Sequence, residues 1–175
     1  MHVLQWIAVQ AENKDQAFRS VKDYLESQMG DEYNLASWYD WFVTGGGRWN
    51  PNEDSQYDDD DQSMVISYAT DPDLFEERIL LAMESRKQEF DNYAKDVSVD
   101  IITKIIDEYN PREKHFKLFS DLYPIKKVID MAYGNWDFNS YFFDMVNDTT
   151  SPAYVFESID KGDKDWYIVP VDFHF

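Results

Sequence analysis

The apolar stretch HVLQWIAVQ at positions 2–10 constrains the fold more than any other part of the sequence. Apolar residues stand at both odd and even positions, which is typical of a strand inside a sheet that is covered on both faces. Asn13 follows as a candidate helix cap, and Gln16 takes the fourth position of a capping box. Apolar residues then recur at helical spacing, and Gly30 is a typical C-terminal stop. This part of the chain therefore predicts a strand followed by a helix.

The last part of the sequence predicts two further strands. Positions 153–159 (AYVFESI) and 165–175 (DWYIVPVDFHF) flank a turn at Gly162, a pattern that predicts a β-hairpin. In the second strand the odd positions from 167 onward form one apolar face, which we expect in the core. Pro170 cannot donate a ladder hydrogen bond, so it indicates an edge or a bulge there.

The middle of the chain predicts a strand at 64–69 and then two or three helices over about 73–133. Asp71 is a candidate cap before Pro72, which suits the first helical position. Pro111 is expected to end one helix and Pro124 to interrupt the next. The best single prediction is one α+β domain over 1–175: a ferredoxin-like antiparallel or mixed sheet, helices on one face and an inserted helical segment.

Charge sets the expected partners. Sixteen basic residues against thirty-five acidic ones give a formal net charge of −19. Such a surface repels phosphate groups, so we expect no direct binding of nucleic acid or of anionic membranes. The predicted partner is a protein with a basic surface, although simple solubility also explains the charge. The absence of cysteine, of a signal-peptide pattern and of an apolar run of ~20 residues leads us to expect a cytoplasmic protein.

The stretch WYDWFVTGGGRWN at 38–50 is the main candidate for a ligand site. Consecutive glycines let backbone N–H groups converge on an anion, Arg48 adds a guanidinium, and tryptophans stack on planar rings. GGG does not match phosphate-binding or dinucleotide-binding spacings, so a tight turn beside a core remains the alternative interpretation. The candidate ligand-binding residues are Trp38, Asp40, Trp41, Gly45, Gly46, Gly47, Arg48, Trp49, Asp172 and His174.

The acidic segment that follows, 51–63, is the second candidate site. Its carboxylates are oxygen ligands of the kind that hard cations prefer, but they lack the spacing of a calcium-binding loop. We therefore expect a solvated loop that contacts a partner, with no metal and no cofactor. The candidate partner-binding residues are Glu53, Asp54, Asp58, Asp59, Asp60 and Asp61.

The histidines offer a third, weaker candidate. If the first and last strands are antiparallel neighbours, His2 and His174 come together beside Asp172, a set suited to metal binding or proton transfer. Surface histidines without a role are the commoner outcome, and His115 indicates nothing. Arg48 either reaches this pair or forms a structural ion pair with Asp172. No established catalytic motif is present, so an enzyme is not the first expectation.

Two segments resemble a family of uncharacterised bacteriophage proteins. Its members carry a W-D-W-Y/F-x-x-G-G-R-W segment and end in a strand of the form V-D-x-H followed by an apolar residue. This chain has one extra glycine, and Phe173 stands where the family often has cysteine. The resemblance implies a phage origin and a common unit for both segments, but it supplies no activity. The matching residues are Trp38, Asp40, Trp41, Phe42, Gly46, Gly47, Arg48, Trp49, Val171, Asp172 and His174.

Together these observations predict a small acidic phage-encoded accessory protein that binds and modulates a host protein, as an inhibitor or a nucleic-acid mimic. The alternative is a protein or enzyme that binds a nucleotide or another small anion through the GGGRW loop. A structural component of the virion is a third possibility. The sequence does not predict the oligomeric state.

Overall fold

A computed structural model describes residues 1–29, 38–58, 60–100, 103 and 119–175. Within these residues the chain is an α+β protein with a mixed sheet of five strands and with four α-helices. The strands are β1 (His2–Gln10), β2 (Trp41–Thr44), β3 (Ile66–Ser67), β4 (Phe142–Asp144) and β5 (Trp166–His174). The helices are α1 (Lys14–Met29), α2 (Pro72–Lys95), α3 (Phe119–Tyr133) and α4 (Ala153–Asp160). Two 3₁₀ turns occupy Gly47–Trp49 and Glu53–Ser55.

The centre of the sheet is the antiparallel pair of β1 and β5, which runs from His2 opposite His174 to Gln10 opposite Trp166. β4 pairs with the other edge of β1 in parallel. β2 and β3 both pair with the outer edge of β5, one after the other. β2 therefore lies beside β5 and not beside β4, and the exact ferredoxin-like topology is not confirmed.

Pro170 lies at the gap between β2 and β3. β2 ends opposite Val171 and β3 begins opposite Ile168. The Pro170 carbonyl accepts a hydrogen bond from the Gly45 backbone N–H over 2.8 Å, so the missing N–H of the proline also faces this gap. A proline is thus tolerated in an interior strand because no ladder bond is required of it there.

The prediction that helices cover one face of the sheet is wrong, because they cover both. α1 packs on the face that presents Ile7, Val9 and the odd positions of β5. α2 and α4 pack on the face that presents Trp6 and Ala8. Since β1 carries apolar side chains on both faces, each face needs a covering layer, which one helical layer does not provide.

The predicted helix caps are confirmed. Asn13 Oδ1 accepts a hydrogen bond from the Gln16 backbone N–H at 3.0 Å, and Gln16 Oε1 accepts one in return from the Glu12 N–H. Asp71 Oδ1 accepts a hydrogen bond from the Leu74 N–H at 3.2 Å, with Pro72 in the first turn. Gly30, Pro111 and His115, which the sequence analysis also singled out, lie outside the described residues.

Several predicted elements differ in the structure. Residues 153–159 form α4 and not a strand, because Val155, Phe156 and Ile159 pack at helical spacing in the core on the α2 side. The predicted hairpin is therefore a helix, a turn and a strand. The strand predicted at 64–69 is reduced to β3. Pro124 lies inside α3 instead of interrupting it.

Candidate functional site

The glycine loop crosses the α2-side face of the sheet in close contact with it. Gly45, Gly46 and Gly47 all have positive φ, at 96°, 96° and 50°. A Cβ on Gly47 would lie 2.5 Å from the Cβ of Asp172, and one on Gly45 would lie 2.1 Å from the Asp61 carbonyl oxygen. Both the backbone conformation and the lack of space therefore require glycine.

Asp172 is the anion that the glycine loop holds in this structure. Its side chain is only 2% exposed. One carboxylate oxygen accepts a hydrogen bond from the Arg48 backbone N–H at 3.1 Å, and the other lies 2.9 Å from His2 Nδ1. Because an ionised carboxylate only accepts hydrogen bonds, we assign the proton of the His2–Asp172 hydrogen bond to His2 Nδ1. The Asp172 carboxylate therefore links the glycine loop to His2 of β1, because it accepts one hydrogen bond from each.

The side chain of Arg48 takes no part in this arrangement. It is exposed, and its guanidinium forms no salt bridge within the part of the chain that the structure describes. Asp172 does fix the loop, but it does so through the backbone N–H of Arg48 and not through an ion pair.

The predicted meeting of His2 and His174 is confirmed, and of the two it is His2 that contacts Asp172. The ring centroids of His2 and His174 lie 5.0 Å apart. The His174 ring also stacks on Trp41 at 4.9 Å, and its Nδ1 lies 3.4 Å from an Asp40 carboxylate oxygen. The Nδ1 atom is buried and its orientation toward Asp40 does not make a hydrogen bond. No group of three potential metal ligands was found among the described residues.

Trp38 does not belong to this cluster, because it lies on the opposite face of the sheet. Its ring packs against Phe173 with a centroid distance of 4.8 Å and against Trp136 at 5.4 Å. Its buried Nε1 has no hydrogen-bond partner among the described residues. Its position is that of a core residue on the α1 side.

Trp49, which is 38% exposed, lines two open clefts between the sheet and α2. The first cleft has a volume of about 330 Å³ and the second about 480 Å³. Leu4, Trp6 and Trp49 line both clefts. The first is also lined by His2, Val3, Leu81, Ala82, Ser85 and Tyr141, and the second by Pro51, Ser63, Met64, Ile66, Leu74 and Arg78.

The contribution of α2 to these clefts was not predicted from the sequence. Leu74, Arg78, Leu81 and Ser85 recur every three or four residues, so they share one face of the helix. That spacing was visible in the sequence, but it indicates only a common face. Which sheet face this side of α2 meets depends on the packing of distant segments.

The acidic segment is divided between exposed and inward-facing carboxylates. Glu53, Asp54 and Asp58 are exposed. Asp60 pairs with Lys22 at 3.1 Å. Asp61 faces inward, where its oxygens accept hydrogen bonds from the Asn50 side chain at 2.9 Å and the Ser63 N–H at 2.7 Å. Asp61 therefore stabilises the loop itself, and Asp59 lies outside the described residues.

The fold and site define an acidic α+β protein with an aromatic surface cleft beside a histidine–aspartate pair, in which the aspartate is buried and the histidine is partly exposed. Compared with models of protein families, with curated proteins and with solved structures, the chain shows no match. The phage family therefore stays a prediction. Among the described helices, none is both long and apolar enough to cross a lipid bilayer.

Proposed function

We propose that this chain is an interaction protein that binds a basic surface of another protein, with Trp49 and Leu81 at the centre of the contact. The carrying observation is that these two apolar side chains border the same cleft and are 38% and 50% exposed. Glu77 and Glu84 are exposed and lie four residues before and three after Leu81, so they flank it on the helix surface.

This arrangement has the composition of a protein-binding surface. Interfaces combine an apolar centre with a polar rim, and tryptophan is enriched among the residues that dominate their binding energy. Glu77 and Glu84 make the rim acidic on the α2 side, and the exposed turn that contains Glu53 and Asp54 follows Trp49 closely in the sequence. Carboxylates in these positions attract lysine and arginine and accelerate association.

The resemblance to phage proteins makes a host protein in the cytoplasm the natural partner. Inhibition by mimicry of nucleic acid is one form of this function, since a series of carboxylates presents negative charge to a basic groove much as phosphates do. The net charge of −19 supports this form of the proposal.

The test is capture of partners from a bacterial host lysate, with native protein and surface variants on the same resin. The expected partner is retained by native protein at low salt and released at high salt, because screening weakens contacts between charged surfaces. Trp49→Ala and the double variant Glu77→Gln/Glu84→Gln should lose it. The control is Tyr154→Ser, an exposed aromatic residue that lines a separate cleft with Gln10, at the far end of β1 from His2.

Retention of the same proteins by the Trp49 and glutamine variants would refute the proposed surface. Absence of any salt-sensitive partner would refute the function itself.

One observation favours the alternative of a nucleotide-binding protein. The larger cleft, about 480 Å³ with Trp49 and Arg78 among its lining residues, has the size of a small-ligand site. Against this, the Arg48 N–H of the glycine loop is already bound to Asp172. A nucleotide at a hundred times its dissociation constant should stabilise the fold by about 2.7 kcal/mol. A nucleotide panel that leaves the melting temperature unchanged would eliminate this alternative.

A further inference from the structure

We propose that the smaller cleft beside Trp49 is a receptor for a single cationic side chain, arginine or lysine, of the protein partner. This inference rests on the proposed function and deepens it, because it names the group that the acidic surface recognises. It assigns a specific contact where net charge alone implies only general attraction.

The walls of the cleft are suited to a cation. Trp6, Trp49 and Tyr141 line it, and the faces of aromatic rings carry negative electrostatic potential. Guanidinium and ammonium groups bind such faces, most favourably those of tryptophan, when they lie within ~6 Å of the ring centre. Leu4 and Leu81 complete the walls with apolar surface, against which the methylene groups of a long side chain pack.

His2 also lines the cleft, and we assign its Nε2 as the hydrogen-bond acceptor for the cation. Its Nδ1–H donates to the buried carboxylate of Asp172, so in the neutral ring Nε2 carries the lone pair. An acceptor matches the N–H donors of arginine and lysine. The buried Asp172 behind the ring also contributes negative potential on this side of the cleft.

In the larger cleft, an arginine of the chain itself already lies near a tryptophan ring. The guanidinium carbon of Arg78 lies 5.8 Å from the centre of the Trp6 ring. Arg78 lines the larger cleft, whereas the residues that line the smaller one include neither lysine nor arginine. The smaller cleft thus has aromatic walls, an acceptor and about 330 Å³ of space, without a cation of its own.

The experiment uses capped pentapeptides with a central arginine, lysine or citrulline between glycine and serine residues. Citrulline has nearly the shape of arginine but no charge. Binding to the full chain is followed by the NMR signals of the tryptophan indole N–H groups. We expect the arginine peptide to bind about fivefold more tightly than the citrulline peptide and to shift the signals of Trp6 and Trp49.

Two variants test the location. Trp49→Leu keeps an apolar side chain but removes the ring and should weaken arginine binding about fivefold, whereas Trp49→Phe should retain most of it. Ser85→Met fills the cleft from α2 with the tryptophans in place and should also weaken binding. Tyr154→Ser should change nothing. The melting temperature of each variant is the folding control, and binding is compared only among variants that melt at the same temperature as the native protein.

Equal binding of the arginine and citrulline peptides would overturn the inference, as would unchanged binding by both Trp49→Leu and Ser85→Met. The proposed function fails separately. If a salt-sensitive partner is captured but arginine has no advantage over citrulline, the cation site is wrong and the interaction protein stands. If arginine binds in the cleft but no partner is found, the cation site stands and the proposed function is wrong.

Discussion

Replacing Gly47 with alanine tests whether the glycine loop is fixed by its contact with the sheet. Gly47 has φ of 50°, and an added Cβ would lie 2.5 Å from both the Cβ and a carboxylate oxygen of Asp172. The left-handed conformation costs a non-glycine residue about 1–2 kcal/mol. Overpacking adds about 1–3 kcal/mol, since the Cβ of Asp172 is fixed to a central strand. We therefore expect Gly47→Ala to lower the free energy of unfolding by about 3 kcal/mol.

Gly162 supplies a matched control. It also has positive φ, at 103°, but a Cβ added there would meet no atom within 4 Å. Gly162→Ala should therefore cost only the conformational part, about 1–2 kcal/mol. In a chain of this size the melting temperature should fall by roughly 6–12 °C for Gly47→Ala and roughly 2–8 °C for Gly162→Ala. Urea unfolding followed by tryptophan fluorescence gives the two free energies directly.

The difference in unfolding free energy between Gly47→Ala and Gly162→Ala can refute the described position of the loop. If Gly47→Ala costs no more than Gly162→Ala, the loop is not pressed against Asp172 and the site described above is misplaced. Gly46→Ala should fall between the two, because its added Cβ would meet the sulfur of Met64 at 2.7 Å, the flexible part of a side chain.

Three further predictions concern a cap and two buried ionisable groups. Asp71→Ala should lower the free energy of unfolding by about 1 kcal/mol, because the Leu74 N–H loses its acceptor; urea unfolding measures it. Burial raises the pKa of Asp144 in the folded protein above its value in the unfolded chain. The protonated Asp144 therefore adds to the free energy of unfolding at a pH below its unfolded-state pKa, and this contribution is lost as pH rises through its folded-state pKa. Unfolding measured from about pH 3 to pH 7 should show native protein losing stability relative to Asp144→Asn as pH rises. Burial also raises the pKa of Tyr39, so alkaline titration at the tyrosinate absorbance should show a late-ionising group that Tyr39→Phe lacks; an identical curve would contradict this.

The histidine cluster followed from the sequence on the condition that the first and last strands are antiparallel neighbours, and the structure confirms that condition. Alternation fixes which side chains share a face, so an antiparallel pair brings His2, His174 and Asp172 together without knowledge of the rest of the fold. The helix caps could also be predicted, because each depends on residues within four positions of one another.

Features that depend on distant packing could not be predicted in this way. Apolar residues in 153–159 fit a short strand as well as a helix, and contacts with the core decide for α4. The glycines indicate positive φ, but the atom that excludes a side chain at Gly47 belongs to Asp172, at the other end of the sequence. Residues of α2, β1 and the glycine loop together line the clefts, and no local sequence pattern predicts that these three segments pack side by side.

The structural and the functional interpretations of the glycine loop are two parts of one arrangement. The glycines let the backbone approach Asp172, and the bond from the Arg48 N–H fastens it there, so the next residue, Trp49, leaves the loop from a fixed point. A tryptophan held in place before binding loses less conformational entropy when a partner arrives, and preorganisation of this kind increases affinity. Damage to the loop should therefore weaken partner binding even though no glycine touches the partner, whereas Arg48→Ala, which keeps the backbone N–H, should leave Trp49 in position.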